Sequence, residues 1–184
     1  VGKGLSGGRI AVRPPETAPR TADENIIVGN TVLYGAIAGE AYFAGVAGER
    51  FAVRNSGAVA VVEGTGDHPC EYMTGGVAVI LGAIGANFGA GMTGGMAYIY
   101  DVDGDFTERA NMETLVAQPL QSAHWEGELL GLIEEHAAQT GSPLAKRLLR
   151  DWDQERGKFL QICPREMLKA LPHPLSDAPQ AATA

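Results

Sequence analysis

The sequence is poor in cysteine, in basic residues and in long apolar runs. Only two cysteines, Cys70 and Cys163, occur in 184 residues, too few for a disulfide framework. Lys and Arg number 14 against 22 Asp and Glu, for a net charge of -8, which argues against nonspecific nucleic-acid binding. No window of about 18 apolar residues is free of repeated glycine or charge, so no membrane span is predicted. These absences favour a soluble, cytoplasmic protein.

The sequence also lacks an initiator Met and a signal peptide. It begins at Val1, and a glycine pattern is already present at Gly2. Because a repeat array normally begins with an atypical capping unit, we expect the chain to be a fragment of a longer polypeptide. An uncapped first repeat would leave an unpaired strand edge, which predicts self-association.

Glycine, by contrast, is abundant, with 25 residues. A small hydroxyl residue followed by two glycines and an apolar run recurs along the chain, and two of these units lie 19 residues apart, from Gly75 to Gly94. Turn glycines recur every nine to twelve residues from Gly35 onward. Short runs of strand character separate them, at 31–34, 40–44, 50–54, 58–63, 77–81 and 96–100.

Two all-β folds accommodate these short runs, because none is followed by the helix of a βαβ crossover. One is an antiparallel sandwich or barrel; the other is a right-handed parallel β-helix. The repeat of near 19 residues favours the β-helix, since a sandwich has no reason to repeat its sequence. Asn30, Asn55 and Asn87 beside turn glycines could form a stacked ladder, but solvated turn asparagines are the simpler interpretation.

The pattern changes after Asp105, where glycine becomes sparse. Apolar residues at helical spacing predict a helix over 126–139, and Ser142 followed by Pro143 predicts a second helix to about residue 156. Both are expected to form a cap on the β-array, followed by a short strand at 159–163. The predicted units are therefore a β-helix at 1–116, a helical extension at 117–171 and a disordered tail at 172–184; a Pro-containing excursion is expected at 13–25.

Several stretches resemble sites of chemistry. Two match the G-x-G-x-x-G pattern, at 2–7 and 89–94, but each precedes a predicted strand, whereas a dinucleotide site needs a helix there. The segment 66–73 contains Asp67, His68, Cys70 and Glu71; it is interpreted as a polar turn with Cys70 in the core. The charged residues among the strands are expected to face solvent or to pair across coils, and the alternating acids after the last strand to be solvated: Glu49, Arg50, Arg54 and Glu63; Asp101, Asp103 and Asp105. We therefore assign no catalytic, cofactor-binding or metal-binding residue.

Long ordered phrases of the sequence resemble one known family. They closely resemble the glycine-rich C-terminal β-helix domain of the glutamate synthase large subunit over residues 1 to about 116. The phrases are Val28-Gly29-Asn30-Thr31, Gly45-Val46-Ala47-Gly48-Glu49-Arg50-Phe51, Cys70-Glu71-Tyr72-Met73-Thr74-Gly75-Gly76 and Asn87-Phe88-Gly89-Ala90-Gly91-Met92-Thr93-Gly94-Gly95.

The resemblance implies a noncatalytic structural domain that packs between the glutaminase and FMN synthase domains of an enzyme that makes glutamate from glutamine and 2-oxoglutarate. It also implies that FMN and an iron–sulfur cluster belong to other domains of the parent enzyme. Two alternatives stay open: a stand-alone glycine-repeat subunit of a related amidotransferase or formylmethanofuran dehydrogenase-like complex, and a carbohydrate-active β-helix enzyme.

Overall fold

The computed structural model describes residues 1–15, 17–18 and 25–178. Most of the predicted excursion at 13–25, namely residue 16 and residues 19–24, lies outside the described residues. Residues 179–184 of the predicted tail also lie outside them.

Five strands stack in parallel to form one long sheet, in the order in which they occur along the chain. A second sheet pairs two short strands, and the chain winds between the two sheets as a parallel β-helix of about four turns. This confirms the predicted β-helix and excludes the antiparallel sandwich. The long sheet contains β1 (Ser6–Val12), β3 (Ala38–Phe43), β5 (Ser56–Val62), β6 (Thr74–Ile80) and β7 (Gly94–Tyr100); the short sheet contains β2 (Ile26–Val28) and β4 (Val46–Ala47).

The sequence repeat appears in the structure as columns of equivalent residues. One column, facing the interior, is Ala41, Ala60, Ala78 and Ala97; each is paired with the next across adjacent strands. All four are fully buried. The small side chains let the opposite walls of the coil approach one another, so the repeat encodes the thickness of the β-helix.

Alternation along the strands creates two cores. Inward residues such as Phe43, Val62 and Ile80 fill the coil interior. Their outward neighbours, including Val61 and Val79, pack beneath the helical segment. Because successive side chains of a strand point to opposite faces, one long sheet serves both cores.

Two of the predicted strand runs are wrong. Residues 31–34 and most of 50–54 form turns. In the second of these turns Arg50, Ala52 and Arg54 have φ of 63°, 56° and 56°. Such values lie in the left-handed region, which L-residues with a side chain adopt infrequently. The apolar run Phe51-Ala52-Val53 between two arginines has the composition of a short buried strand, which is why a strand was predicted.

The three asparagines do not form a ladder. Asn55 is fully buried, and its side chain bonds the backbone of Ala58 in its own turn at 2.8 and 2.9 Å. Asn30 accepts a hydrogen bond from the backbone N–H of Glu49 in the next coil, at 2.9 Å. Asn87 is exposed with φ of 62°. The solvated interpretation is therefore wrong for Asn55.

The last coil is covered by two antiparallel strands, β9 (Phe159–Pro164) against β7 and β8 (Leu115–Pro119) against β9. Three helices lie against the outer face of the long sheet: α2 (Ala123–Thr140), α3 (Pro143–Arg150) and α4 (Trp152–Glu155). The short α1 (Phe106–Arg109) packs Phe106 into the coil interior, against Phe88. Among the described residues, none of these helices is long and apolar enough to cross a bilayer.

Residues 172–178 contact the beginning of α2. Asp177 accepts a hydrogen bond from the backbone N–H of Ala123 at 2.7 Å, and this bond lowers the pKa of the Asp177 carboxyl. Trp125 Nε1 donates to the carbonyl of Pro174 at 2.9 Å, and Leu175 is buried. The division at residues 116 and 171, and the self-association through the edge strand β1, stay predictions.

Gly94 tests the tight stacking of the coils. A Cβ atom at this position would lie 2.1 Å from the carbonyl oxygen of Thr74 in the preceding coil. We expect Gly94→Val to lower the free energy of unfolding by about 3 kcal/mol or more, since backbone must move to relieve the clash. Chemical denaturation measures the change.

Gly127 and His68 provide matched controls. Nothing lies within 4 Å of a Cβ built on Gly127 in α2, so Gly127→Ala should leave stability unchanged or raise it by about 1 kcal/mol. His68→Ala, at a partly exposed turn, should be mild. A severe loss for His68→Ala with none for Gly94→Val would contradict this account of coil stacking.

Candidate functional site beside the helical segment

The segment 66–73 does not assemble a nucleophile and its base. Cys70 is fully buried in the coil interior, and burial raises the pKa of its thiol to about 12. His68 is partly exposed, and its Nδ1 lies 2.7 Å from Glu71 Oε1. Asp67 accepts a hydrogen bond from the backbone N–H of Ala86 at 2.7 Å. The interpretation as a polar turn is confirmed for Asp67 and Cys70, whereas His68 pairs with a carboxylate instead of bonding the backbone.

The acids after β7 serve local structure. Asp101 accepts hydrogen bonds from the backbone N–H groups of Gly104 and Phe106, at 3.1 and 3.4 Å. Asp105 pairs with Arg109 at 2.7 Å, and the Arg109 guanidinium lowers the pKa of this carboxyl. Of the three predicted solvated acids, two are therefore engaged in turn and helix contacts.

The two G-x-G-x-x-G stretches lead into strands. Residues 2–7 run into β1 and residues 89–94 into β7. A Cβ on Gly91 would lie 2.5 Å from the ring of Tyr72, so this glycine accommodates an aromatic ring of the preceding coil. A phosphate cradle of the dinucleotide type requires a helix N-terminus after the glycines, which neither stretch has.

A buried polar cluster joins the β-helix to the helical segment. Glu63, at the end of β5, is 2% exposed, and its Oε1 accepts hydrogen bonds from Ser142 Oγ and from His136 Nε2, the latter at 3.1 Å. His136 in α2 and Ser142 before α3 are also buried. The expectation that Glu63 would face solvent or pair across coils is wrong.

Local sequence explains why these three residues meet. Glu63 follows Val61 by two positions, so it continues the outward face of β5. His136 lies on the buried stripe of α2 with Leu129 and Ile133. Ser142 caps α3 by accepting the N–H of Ala145 at 3.0 Å, as the Ser-Pro pair predicted. The helical spacing of His136 was visible in the sequence, but its partner strand was not.

A cavity of about 480 Å³ opens beside this cluster, where β5, β6 and β7 end. Its lining residues include Glu63, several apolar residues and the acids after β7. Charged residues of two helices, Arg109 of α1 and Arg147 of α3, complete the lining.

The residues of this chain do not fit an iron–sulfur cluster. Such clusters are held by several cysteine thiolates. Cys163, like Cys70, is buried, and its thiol pKa is raised to about 11 by burial. Across the described ranges, no three or more His, Cys, Asp or Glu side chains converge on a possible metal position.

Comparison with known proteins decides the family. The model of the GXGXG motif family matches residues 1–165. The chain belongs to the GXGXG motif family. It is 55% identical over 175 residues to "Glutamate synthase [NADPH] large chain" of Azospirillum brasilense, covering 95% of this chain and 12% of that protein.

Two further relatives of this GXGXG chain are similar to the same extent. "Glutamate synthase [NADH]" of Schizosaccharomyces pombe is 53% identical over 166 residues, or 90% of this chain and 8% of the relative. "Ferredoxin-dependent glutamate synthase 2" of Synechocystis is 51% identical over 164 residues, which is 89% of this chain and 10% of the relative. The GXGXG chain thus spans about a tenth of the length of these relatives.

The GXGXG sequence pattern corresponds to a backbone conformation of the turns. Asn87, Gly89 and Gly91 all have positive φ, as do Gly2 and Gly4. The alternating glycines therefore occupy positions where the backbone is left-handed at every second residue, a conformation that glycine adopts without strain.

The buried cluster predicts a large effect of His136. His136→Ala removes one of the two donors to a buried carboxylate and leaves a cavity, so we expect a loss of about 3 to 5 kcal/mol in the free energy of unfolding. Glu134→Ala, at an exposed position of the same helix, should change it by less than about 0.5 kcal/mol.

A double-mutant cycle with Glu63→Gln separates the contact from the loss of packing. A coupling energy of about 1 kcal/mol or more is expected between Glu63 and His136. Additive effects of the two substitutions would show that the pair does not interact.

Proposed function

We propose that this chain is a noncatalytic structural domain of a glutamate synthase large chain. The observation that carries the proposal is the match of 89–95% of the chain, at 51–55% identity, to a segment of about a tenth of three glutamate synthases. The family match over residues 1–165 supports it.

The physical construction of the chain is consistent with a scaffold. Backbone hydrogen bonds link each coil to its neighbours in both the strands and the turns. The residues that most resembled catalytic groups are engaged in structural contacts, with Cys70 in the core and Asp67 bonded to the next coil. Rigidity of this kind suits a domain that holds other domains in a fixed arrangement.

In the complete polypeptide, we place the domain between a glutaminase domain and an FMN synthase domain. The first would release ammonia from glutamine, and the second would add it to 2-oxoglutarate with reduction to glutamate. FMN and the iron–sulfur cluster would be held by domains other than this one. For the cluster, this is consistent with the two cysteines of this chain, which are both buried and too few to hold it. A cytoplasmic location stays a prediction.

The relatives favour this function over the two alternatives. Those named above are glutamate synthases many times longer than this chain, whereas a stand-alone subunit would be expected to match proteins of its own size. The alternative function as a carbohydrate-active β-helix enzyme has no support from the named relatives.

The test is made in the full-length glutamate synthase that contains this segment. Gly94→Val should lower thermal stability and also the glutamate formed per glutamine consumed, because the two active domains lose their fixed arrangement. Gly127→Ala, where an added Cβ meets nothing within 4 Å, should leave both quantities as in the unsubstituted enzyme.

Two results would contradict the proposal. One is full stability and an unchanged glutamate yield in the Gly94→Val enzyme when the same substitution unfolds the 184-residue chain. The other is turnover of glutamine or 2-oxoglutarate by the 184-residue chain alone, which would make it a catalyst.

A further inference from the structure

The carboxylate of Glu63 is only half satisfied. Its Oε1 accepts from both Ser142 and His136, whereas its Oε2 is buried and no donor within the part of the chain that the structure describes reaches it. An ionised carboxylate oxygen without a donor is costly in a buried environment. Glu63 is one of the residues that line the cavity of about 480 Å³. Its side chain is only 1% exposed, so a donor from the cavity reaches the free oxygen only when the side chains that cover it shift.

The cavity lining also contains apolar residues from both cores of the protein. Leu81 at the end of β6 and Leu144 of α3 belong to the outer core, while Ile84, Ile99 and Phe106 belong to the coil interior. A volume of this size lies within the range of small-ligand sites. The walls suit an aliphatic stem, and the carboxylate suits a hydrogen-bonding cation at its end.

The charges around the cavity select for a cation. Four carboxylates line it against two guanidinium groups. Arg109 is already paired with Asp105 and donates to the carbonyl of Ile84 at 3.2 Å. Arg147 lies 3.9 Å from Glu155, which is outside the lining. Acidic groups therefore outnumber cationic groups in the lining.

We propose that this cavity binds an alkylammonium or alkylguanidinium group, with the cation on Glu63 and the aliphatic stem against the apolar walls. The group is either a free amine or guanidine, or the side chain of a Lys or Arg from another part of the complete polypeptide. The chemistry of recognition is the same for both, because Lys and Arg carry a cation on an aliphatic stem. This inference does not rest on the proposed function.

Butylammonium and butylguanidinium are the probes, with 1-pentanol as a neutral compound of similar length. Amide NMR of the 184-residue chain should show saturable shifts at Gly82, Ala83 and Val102 with the two cations. The neutral alcohol should bind at least about tenfold more weakly, because it lacks the charge-assisted bond. Equal binding of the alcohol, or no saturable shift with either cation, would overturn the proposal.

Three variants localise the binding. Glu63→Gln should weaken binding of both cations about tenfold, the value of one hydrogen bond to a charged group. Ala83 is an exposed residue of the cavity lining, so Ala83→Trp should obstruct the cavity and weaken binding while Glu63 stays intact. This variant keeps the proposal testable if Glu63→Gln fails to fold. Arg147→Gln removes a competing cation, and binding should be equal or tighter. Undiminished binding by both Glu63→Gln and Ala83→Trp would overturn the proposal.

The full-length polypeptide distinguishes the two sources of the cation. If the probes bind to it as to the 184-residue chain, the natural ligand is a free amine or guanidine. If a basic side chain of another domain occupies the cavity, the probes are excluded there, and Glu63→Gln should lower the thermal midpoint of the full-length protein more than that of the 184-residue chain. Exclusion of the probes without this difference would overturn the proposal.

Discussion

The structure depends on a turn in which every second residue has a left-handed backbone. In successive coils these residues are Thr31, Leu33 and Gly35; Arg50, Ala52 and Arg54; His68, Cys70 and Tyr72; and Asn87, Gly89 and Gly91. Their N–H groups bond alternately to the next and the previous coil: Arg50 to Asp67, Ala52 to Val32 and Arg54 to Glu71, at 2.8 to 2.9 Å. The turn therefore stacks by backbone hydrogen bonds much as the strands do.

This conformation is unfavourable for residues with a side chain, by roughly 1 to 2 kcal/mol each. Two contributions offset the cost. Each backbone hydrogen bond between neighbouring coils contributes about 1 kcal/mol. The middle residue of the turn is also fully buried in the interior, as Leu33, Ala52 and Cys70 show. The left-handed residues are needed because the same alternation turns the chain from one strand toward the next and so closes the coil. Where the chain has glycine instead, at Gly89 and Gly91, the conformation is free of this strain.

The same alternation explains what could be predicted from the sequence. The strands β5, β6 and β7 follow the turn glycines and repeat in register, so their positions and their parallel stacking were accessible. The turn at 50–54 was not, since three apolar residues between two arginines are equally compatible with a short buried strand and with this turn. The cluster of Glu63, His136 and Ser142 was inaccessible for another reason. It forms only when α2 and α3 lie across β5, a contact between residues more than 70 positions apart.

Amide hydrogen exchange tests most directly whether the left-handed turns hold the coils together. The account predicts that the amides of Ala52 and Cys70, which bond the preceding coil, are protected to the same extent as those of Val61 and Val79 in the strands. They would then exchange only when the whole β-helix unfolds. Rapid exchange of the turn amides, while the strand amides stay protected, would show that the turns are passive connections and would contradict the account.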